Sequence, residues 1–201
     1  MEGEYCFREK KHSKEGRNNM ENPINLVGKL LIATPKLRDK NFTHTIVFLT
    51  SCNGLGATGI ILNRPLNRWV DNYDVIYKEP EVLNSPLYHG GPINADELTI
   101  SAWMWHKNDH YFELRYNLQE SDVAGLDYIG NEIQVRSFLG HVSWGPFQLI
   151  AEILNGWWYP VKVGSLFGLK ERGDALWHAI IEKTNPGIML LNDFPEDPKW
   201  N

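Results

Sequence analysis

Four local patterns in this chain bring together residues that can do chemistry. Gly54, Gly56 and Gly59 spell G-x-G-x-x-G, a spacing that lets a backbone turn approach a pyrophosphate. That chemistry needs the glycine turn to open a helix, whose first amides and dipole then hold the phosphates. Here the glycines lead into Ile60-Ile61-Leu62 and then Asn63-Arg64-Pro65, an apolar stretch stopped by proline, so a hairpin turn is expected and not a nucleotide site. Ser143-Trp144-Gly145 is like the second half of a nucleophile elbow, a strained turn that lifts a serine toward a histidine base. The full motif needs a small residue two places before the serine, where this chain has His141. A structural strand–helix turn is therefore favoured, with a hydrolase using Ser143 and one of His89, His106, His141 or His178 as the alternative. His106 and His110 flank Asp109 at i,i+4 spacing, which converges on a metal only within a helix, and this stretch reads as a hairpin turn. Cys52 lies in a glycine-bearing turn with no cationic neighbour in sequence to favour its thiolate.

The elements that must position these residues follow from periodicity. Residues 29–34, 44–50 and 57–63 are nearly continuous apolar runs rich in β-branched side chains, read as largely buried strands. The short glycine-bearing link at 51–56 predicts an antiparallel hairpin between the second and third, and the charged segment 36–41 predicts a turn. Residues 68–83 allow one or two helical turns, and 87–90 a short strand entering the Gly90-Gly91-Pro92 bend. Residues 98–106 and 111–116 alternate as a second hairpin. A weak helix is expected from Ser121, as N-cap, to about 129, and a long strand over 132–143. The clearest helix is expected between Pro146 and Gly156: Phe147, Ile150, Ile153, Leu154 and Trp157 recur at helical spacing, opposite Gln148, Glu152 and Asn155. Residues 159–163 read as another strand, and 174–183 as a last helix capped by Asp174. Irregularly interleaved hairpins and helices predict an α/β protein of α+β type, with a mixed, largely antiparallel sheet and helices packed on it.

Size and composition narrow the function classes. A chain of 201 residues suits one domain, read as a polar N-terminal extension over 1–22 and a single domain over 23–201. The formal charge of −5 argues against a broad phosphate-binding surface. A local exception is the leader, where Arg8, Lys10, Lys11, Lys14 and Arg17 are diluted by Glu9 and Glu15. It reads as a solvated or partner-docked segment, with a nucleic-acid arm as the alternative. Two cysteines support no disulfide framework, and no apolar run is long enough to span a bilayer. A cytoplasmic protein is expected. Of the eight tryptophans, Trp103, Trp105, Trp144, Trp157 and Trp158 are expected mostly in the core, with an exposed aromatic contact patch as the alternative.

Several segments combine into a wider likeness. Leu26 through Pro35, Phe42 through Val47, Gly56 through Pro65, Gly90-Gly91-Pro92, and Gly140 through Trp144-Gly145-Pro146 to Gln148-Leu149 resemble, in order and spacing, the AlgH (YqgE) family of small bacterial proteins. The resemblance runs from about residue 25 to Ile181 and includes Trp177. It implies a single-domain α/β fold and no particular reaction, and some family members carry a regulatory label. The chain departs from the family pattern at Ser51, Cys52, Gly54 and Leu55, where acidic residues and a histidine are usual. It departs again at Ser143 and Phe147, where glycine is usual, and at Ile150, where glutamate is usual.

These readings converge on a non-enzymatic binding or interaction protein of regulatory type, with no catalytic residue, cofactor or metal assigned. Its candidate binding surface is Asn63, Arg64 and Pro65, the bend at Gly90, Gly91 and Pro92, and Trp144 with Gln148. Arg64 offers a bidentate fork, the bend offers amides, and Trp144 and Gln148 offer stacking and hydrogen bonds. The expected partner is a protein or small molecule, with no membrane and no nucleic acid. A Ser143 hydrolase and a DNA-linked regulator are the alternatives.

Overall fold

A computed structural model describes residues 5–10, 26–72, 77–108, 111–129, 131–166 and 169–188. Its strands are β1 (Tyr5–Lys10), β2 (Lys29–Ala33), β3 (Ile46–Asn53), β4 (Gly56–Ile61), β5 (Pro65–Trp69), β6 (Pro86–His89), β7 (Ile93–His106), β8 (Tyr111–Leu118), β9 (Asn131–Trp144) and β10 (Trp158–Lys162). Its helices are α1 (Pro80–Leu83), α2 (Glu120–Ala124), α3 (Gln148–Leu154) and α4 (Gly173–Thr184). The strands form one mixed sheet in the order β1-β8-β7-β9-β4-β3-β2-β10, with β5 joined to β6 and β6 to β9. Among the described strands only the β6–β9 pairing is parallel, so the sheet is largely antiparallel, as the sequence pattern implies.

Strand β9 is the spine. One edge pairs with β7 from Asn131 to His141. The other edge is divided: Ser137–Leu139 take β6 and Val142–Trp144 take β4. Gly140 sits at the division with φ +71. A Cβ there would lie 2.4 Å from the carbonyl oxygen of Gly91 and 2.8 Å from that of Ile93, a clash of backbone on backbone that only glycine avoids.

The glycines of the G-x-G-x-x-G pattern lie in the β3–β4 hairpin, where Asn53 pairs with Gly56 across a two-residue turn. A Cβ on Gly59 would come within 2.7 Å of the Phe48 carbonyl oxygen. These residues let strands approach closely, and the chain continues as strand β4 with no helix N-terminus for a phosphate to sit on.

Three apolar clusters fill the two faces of the sheet. The largest sets Phe48, Ile60, Trp103, Phe112 and Phe138 against Leu176, Trp177, Ile180 and Ile181 of α4. Burial of each such side chain contributes roughly 1.5–3 kcal/mol, and wholly buried Trp177 also donates its indole N–H to the Ala33 carbonyl at 2.8 Å. A second cluster lies under α3 and a third under α1 and α2. Glu120 accepts the Glu79 and Lys78 amides, tying α1 to α2, and these bonds hold its carboxyl below the usual range. Of the seven described tryptophans, Trp103, Trp144, Trp158 and Trp177 are buried, Trp105 is half-buried, and Trp69 and Trp157 are exposed.

Several details differ from expectation. Tyr5–Lys10 of the leader is a strand paired with β8. The bent chain after β4 resumes as β5 from Pro65, a strand position that needs no proline amide. Within 68–83 the helical turns are Val70–Asn72 and α1, with Tyr73 and Ile76 outside the described residues. Gln119, not Ser121, begins α2 in a capping box with Asp122, and Arg172 precedes α4, leaving Asp174 in its first turn. Helix α3 starts after Pro146, because Phe147 takes a left-handed conformation at φ 62. This is the position where the family resemblance has glycine. Its apolar stripe is only partly buried: Phe147 is 80% and Leu154 81% exposed, Ile150 and Trp157 are exposed too, Ile153 packs against the second cluster, and Leu149 is buried in it. The short helix is oriented by a hydrogen-bond network around Glu152, and this overrides its apolar periodicity.

Candidate functional site

Four of the eight candidate surface residues meet in one cleft of about 490 Å³, where Asn63, Arg64, Pro65 and Pro92 are joined by Lys40, Asn41 and His89. Small-molecule sites occupy roughly 300–1,000 Å³. Each side chain is placed by a local device. Buried Asn63 accepts the Ile46 amide at 2.9 Å and donates to the carbonyls of His44 at 2.8 Å and Gly173 at 3.1 Å. It therefore fixes the start of β3, the end of β4 and the start of α4 around the cleft. Arg64 donates through Nη2 to the Thr43 carbonyl, and its Nη1 lies 3.7 Å from Asp174 Oδ1. The Asp174 carboxylate also lies 3.8 Å from His44 Nδ1, and the His44 ring stacks on Trp177 with centroids 4.1 Å apart. The turn that carries Lys40 and Asn41 is thereby clamped to α4. His89 reaches the cleft from the end of β6, where its amide donates to the Arg64 carbonyl at 2.8 Å. The cleft thus presents two cations, an amide and an imidazole, with the exposed Asp174 as a counter-charge to Arg64.

The other four residues lie elsewhere or face inward. Gly90 and Gly91 are buried beneath the cleft. The Gly90 amide donates to the Leu139 carbonyl at 2.6 Å, and the Gly90 carbonyl accepts from Ile61. The bend therefore knits β6 to β9 and β4 and offers no free Gly90 amide to a ligand. Trp144 pairs with Ala57 at the far end of β4 from Asn63, about 20 Å away at the ~3.3 Å rise of a strand residue. Its indole is buried and donates to Glu152 Oε2 at 2.8 Å, as the Trp158 indole does at 2.7 Å. Gln148 accepts the Gly145 amide at 3.0 Å and donates to Glu152 Oε1 at 2.9 Å. This second group is an internal clamp on the β9–α3 turn.

The catalytic alternatives lose their geometry. Ser143 lies inside β9, paired with Thr58, and not on a strained strand–helix turn. Among the described residues no hydrogen bond joins it to a histidine. His106 lies on a strand, with Nε2 2.8 Å from Glu113 Oε2 and its ring stacked on Tyr111, while Asp109 and His110 lie outside the described residues. Cys52 is a free, half-buried thiol packed against the α3 cluster. Of the basic leader, Arg8 and Lys10 fall on β1, and Lys11, Lys14 and Arg17 lie outside the described residues. No described helix is long and apolar enough to cross a membrane.

Sequence reasoning missed Lys40, Asn41 and His89 as partners of Arg64. The first two were legible only as a charged turn, and only the fold carries that turn to the end of β4.

A largely antiparallel α+β domain with a cationic cleft, and no nucleophile–base pair among its described residues, defines the class. The sequence model of the AlgH-like family, DUF179, matches residues 30–188, and the chain belongs to that family. A UPF0301 protein of Thermobifida fusca is 30% identical over 89% of this chain and 96% of its own length. One from Bacteroides thetaiotaomicron is 29% identical over 87% and 90%. The solution structure of the AlgH protein from Pseudomonas aeruginosa aligns with a TM-score of 0.58 at 18% identity, covering 90% of this chain and all of that one. The crystal structure of DIP2367 from Corynebacterium diphtheriae aligns at 0.60 and 19%, covering 87% and 95%. At these identities the two structures show the shared fold.

Proposed function

We propose that this chain is a non-enzymatic, cytoplasmic binding protein of regulatory type, whose ligand site is the Arg64 cleft. The ligand is a small molecule or peptide segment bearing an anionic group. One observation carries the reading: Arg64 is held in place by Thr43 while Lys40, Asn41 and His89 line the same ~490 Å³ space. An anchored guanidinium beside a second cation, an amide and an imidazole suits an anion, and a hydrogen bond to a charged group is worth about 1.5–3 kcal/mol. Pro65 and Pro92 stiffen the rim, so little ordering is needed on binding. The cytoplasmic assignment rests on two cysteines that supply no disulfide framework.

NMR titration with inorganic phosphate and with citrate tests the cleft. Shifts should cluster on residues 40–41, 63–66 and 89, and Arg64→Gln should weaken binding about tenfold or more. Shifts scattered over the surface, or an affinity indifferent to Arg64→Gln, would remove the proposal.

A further inference from the structure

Away from the cleft, on the face of the sheet that packs against α4, a buried charge has no counter-charge among the described residues. Arg136 on β9 is 4% exposed, and its acceptor among those residues is Gln134 Oε1, at 2.8 Å from Nη2. Its guanidinium carbon lies 3.6 Å from the centroid of the Trp103 ring and 5.6 Å from that of Tyr88. Both rings carry a buried donor with no hydrogen-bond partner among the described residues, Tyr88 Oη and Trp103 Nε1, on residues 1% and 6% exposed. Burial lowers the Arg136 pKa to about 10, with the Tyr88 phenol opposing that shift and the Arg172 guanidinium adding to it. The group therefore stays protonated at neutral pH.

A desolvated cation without a carboxylate, beside two orphaned neutral donors, is an unfavourable arrangement. Buried polar groups are otherwise nearly always satisfied. Such a cluster lacks an acceptor, and the acceptor it lacks can be described. The Arg136 fork offers two parallel N–H groups, and Tyr88 and Trp103 add one donor each. Four donors and one positive charge match the four lone-pair positions and single negative charge of a carboxylate. A phosphate dianion would leave charge and oxygens uncompensated. Gln134, two residues along the same face of β9, is exposed and forms the solvent edge of this cluster.

We propose that Arg136, Tyr88 and Trp103 form a second, interior binding site, which takes the carboxylate group of a small molecule. The Trp103 ring lies directly against the guanidinium, with Tyr88 further off, and restrains its fork, so the site is preorganised before the ligand arrives.

The test titrates the full chain with sodium acetate against sodium chloride at constant ionic strength, with sodium phosphate as a second arm. The Trp103 indole N–H signal, identified by its loss in Trp103→Phe, is followed by NMR. Acetate should shift that signal saturably. Tyr88→Phe, which removes only the unpartnered hydroxyl, should weaken the response about tenfold, and Arg136→Met should weaken it about a hundredfold or abolish it. An unmoved Trp103 signal overturns the proposal. So does a response that Tyr88→Phe leaves unchanged, or phosphate or chloride competing as strongly as acetate. Acetate shifts confined to residues 40–41 and 63–66 also overturn it, while leaving the Arg64 cleft standing.

Discussion

Two pairs of aromatic donors are buried in this protein, and they end in opposite states. At the β9–α3 turn, the indoles of Trp144 and Trp158 both donate to Glu152 Oε2, and the remaining carboxylate oxygen takes Gln148. On the α4 side of the sheet, the donors of Tyr88 and Trp103 meet the guanidinium of Arg136, itself a donor. The burial and the ring chemistry are similar, so what separates them is whether the chain supplies an acceptor. The first pair is complete and acts as a clamp. The second is open, and an open buried set of donors is a demand on something from outside. Residue type alone made Trp144 and Gln148 look like binding groups, whereas their hydrogen bonds assign them to the scaffold and move the ligand chemistry to Arg64 and Arg136.

That contrast can be broken by mutation, and the largest effect is expected at the clamp. Glu152→Leu strips two buried indole donors of their acceptor, and unfolding in urea should show a loss of about 2–4 kcal/mol. Glu152→Gln keeps an acceptor and should recover most of it. A Glu152→Leu protein as stable as wild type would show that the clamp carries no energy.

A smaller effect of opposite sign is expected at Phe147, which takes a left-handed conformation just before α3. That conformation costs a side chain roughly 1–2 kcal/mol, partly offset by the entropy that glycine loses on folding. Phe147→Gly should therefore stabilise by about 0.5 kcal/mol, measured by the same unfolding midpoint. Destabilisation would mean that the exposed ring makes contacts worth more than the strain.

The smallest change is expected at the open pair. Without added carboxylate, Tyr88→Phe removes a hydroxyl that has no partner to lose, and stability should stay within about 0.5 kcal/mol of wild type or rise. A loss as large as that at Glu152 would mean the phenol is already satisfied, and would erase the contrast.

The fold was largely legible because its signals are local. The runs at 29–34, 44–50 and 57–63 became β2, β3 and β4, and the hairpin predicted from Gly54, Gly56 and Gly59 is there. Ser143 fell to the same logic, since a residue inside a strand pairing cannot also sit on an elbow. The failures share a cause. Phe147, Ile150, Ile153, Leu154 and Trp157 recur at helical spacing, which usually marks a buried face, but α3 is seven residues long, is tethered by polar bonds, and brings only Ile153 of these against the core. Arg136 was passed over inside an apolar strand, because its burial depends on β6 arriving in parallel along β9 from far earlier in the chain. Lys40 and His89 reach Arg64 only through that same long-range assembly. Periodicity reports which face of an element is apolar, and it is silent on which distant strand will cover it.

The divided edge of β9 has a consequence for how the molecule comes apart. Asn131–Leu139 complete the β7–β6 half and Val142–Trp144 complete the β4 half, with Gly140 as the joint. One continuous segment is thus a member of both halves, flanked by β7 and β6 in one and pairing with β4 in the other, like a beam shared by two rooms. Neither half can be excised as a free-standing fragment without breaking the strand that it shares with the other.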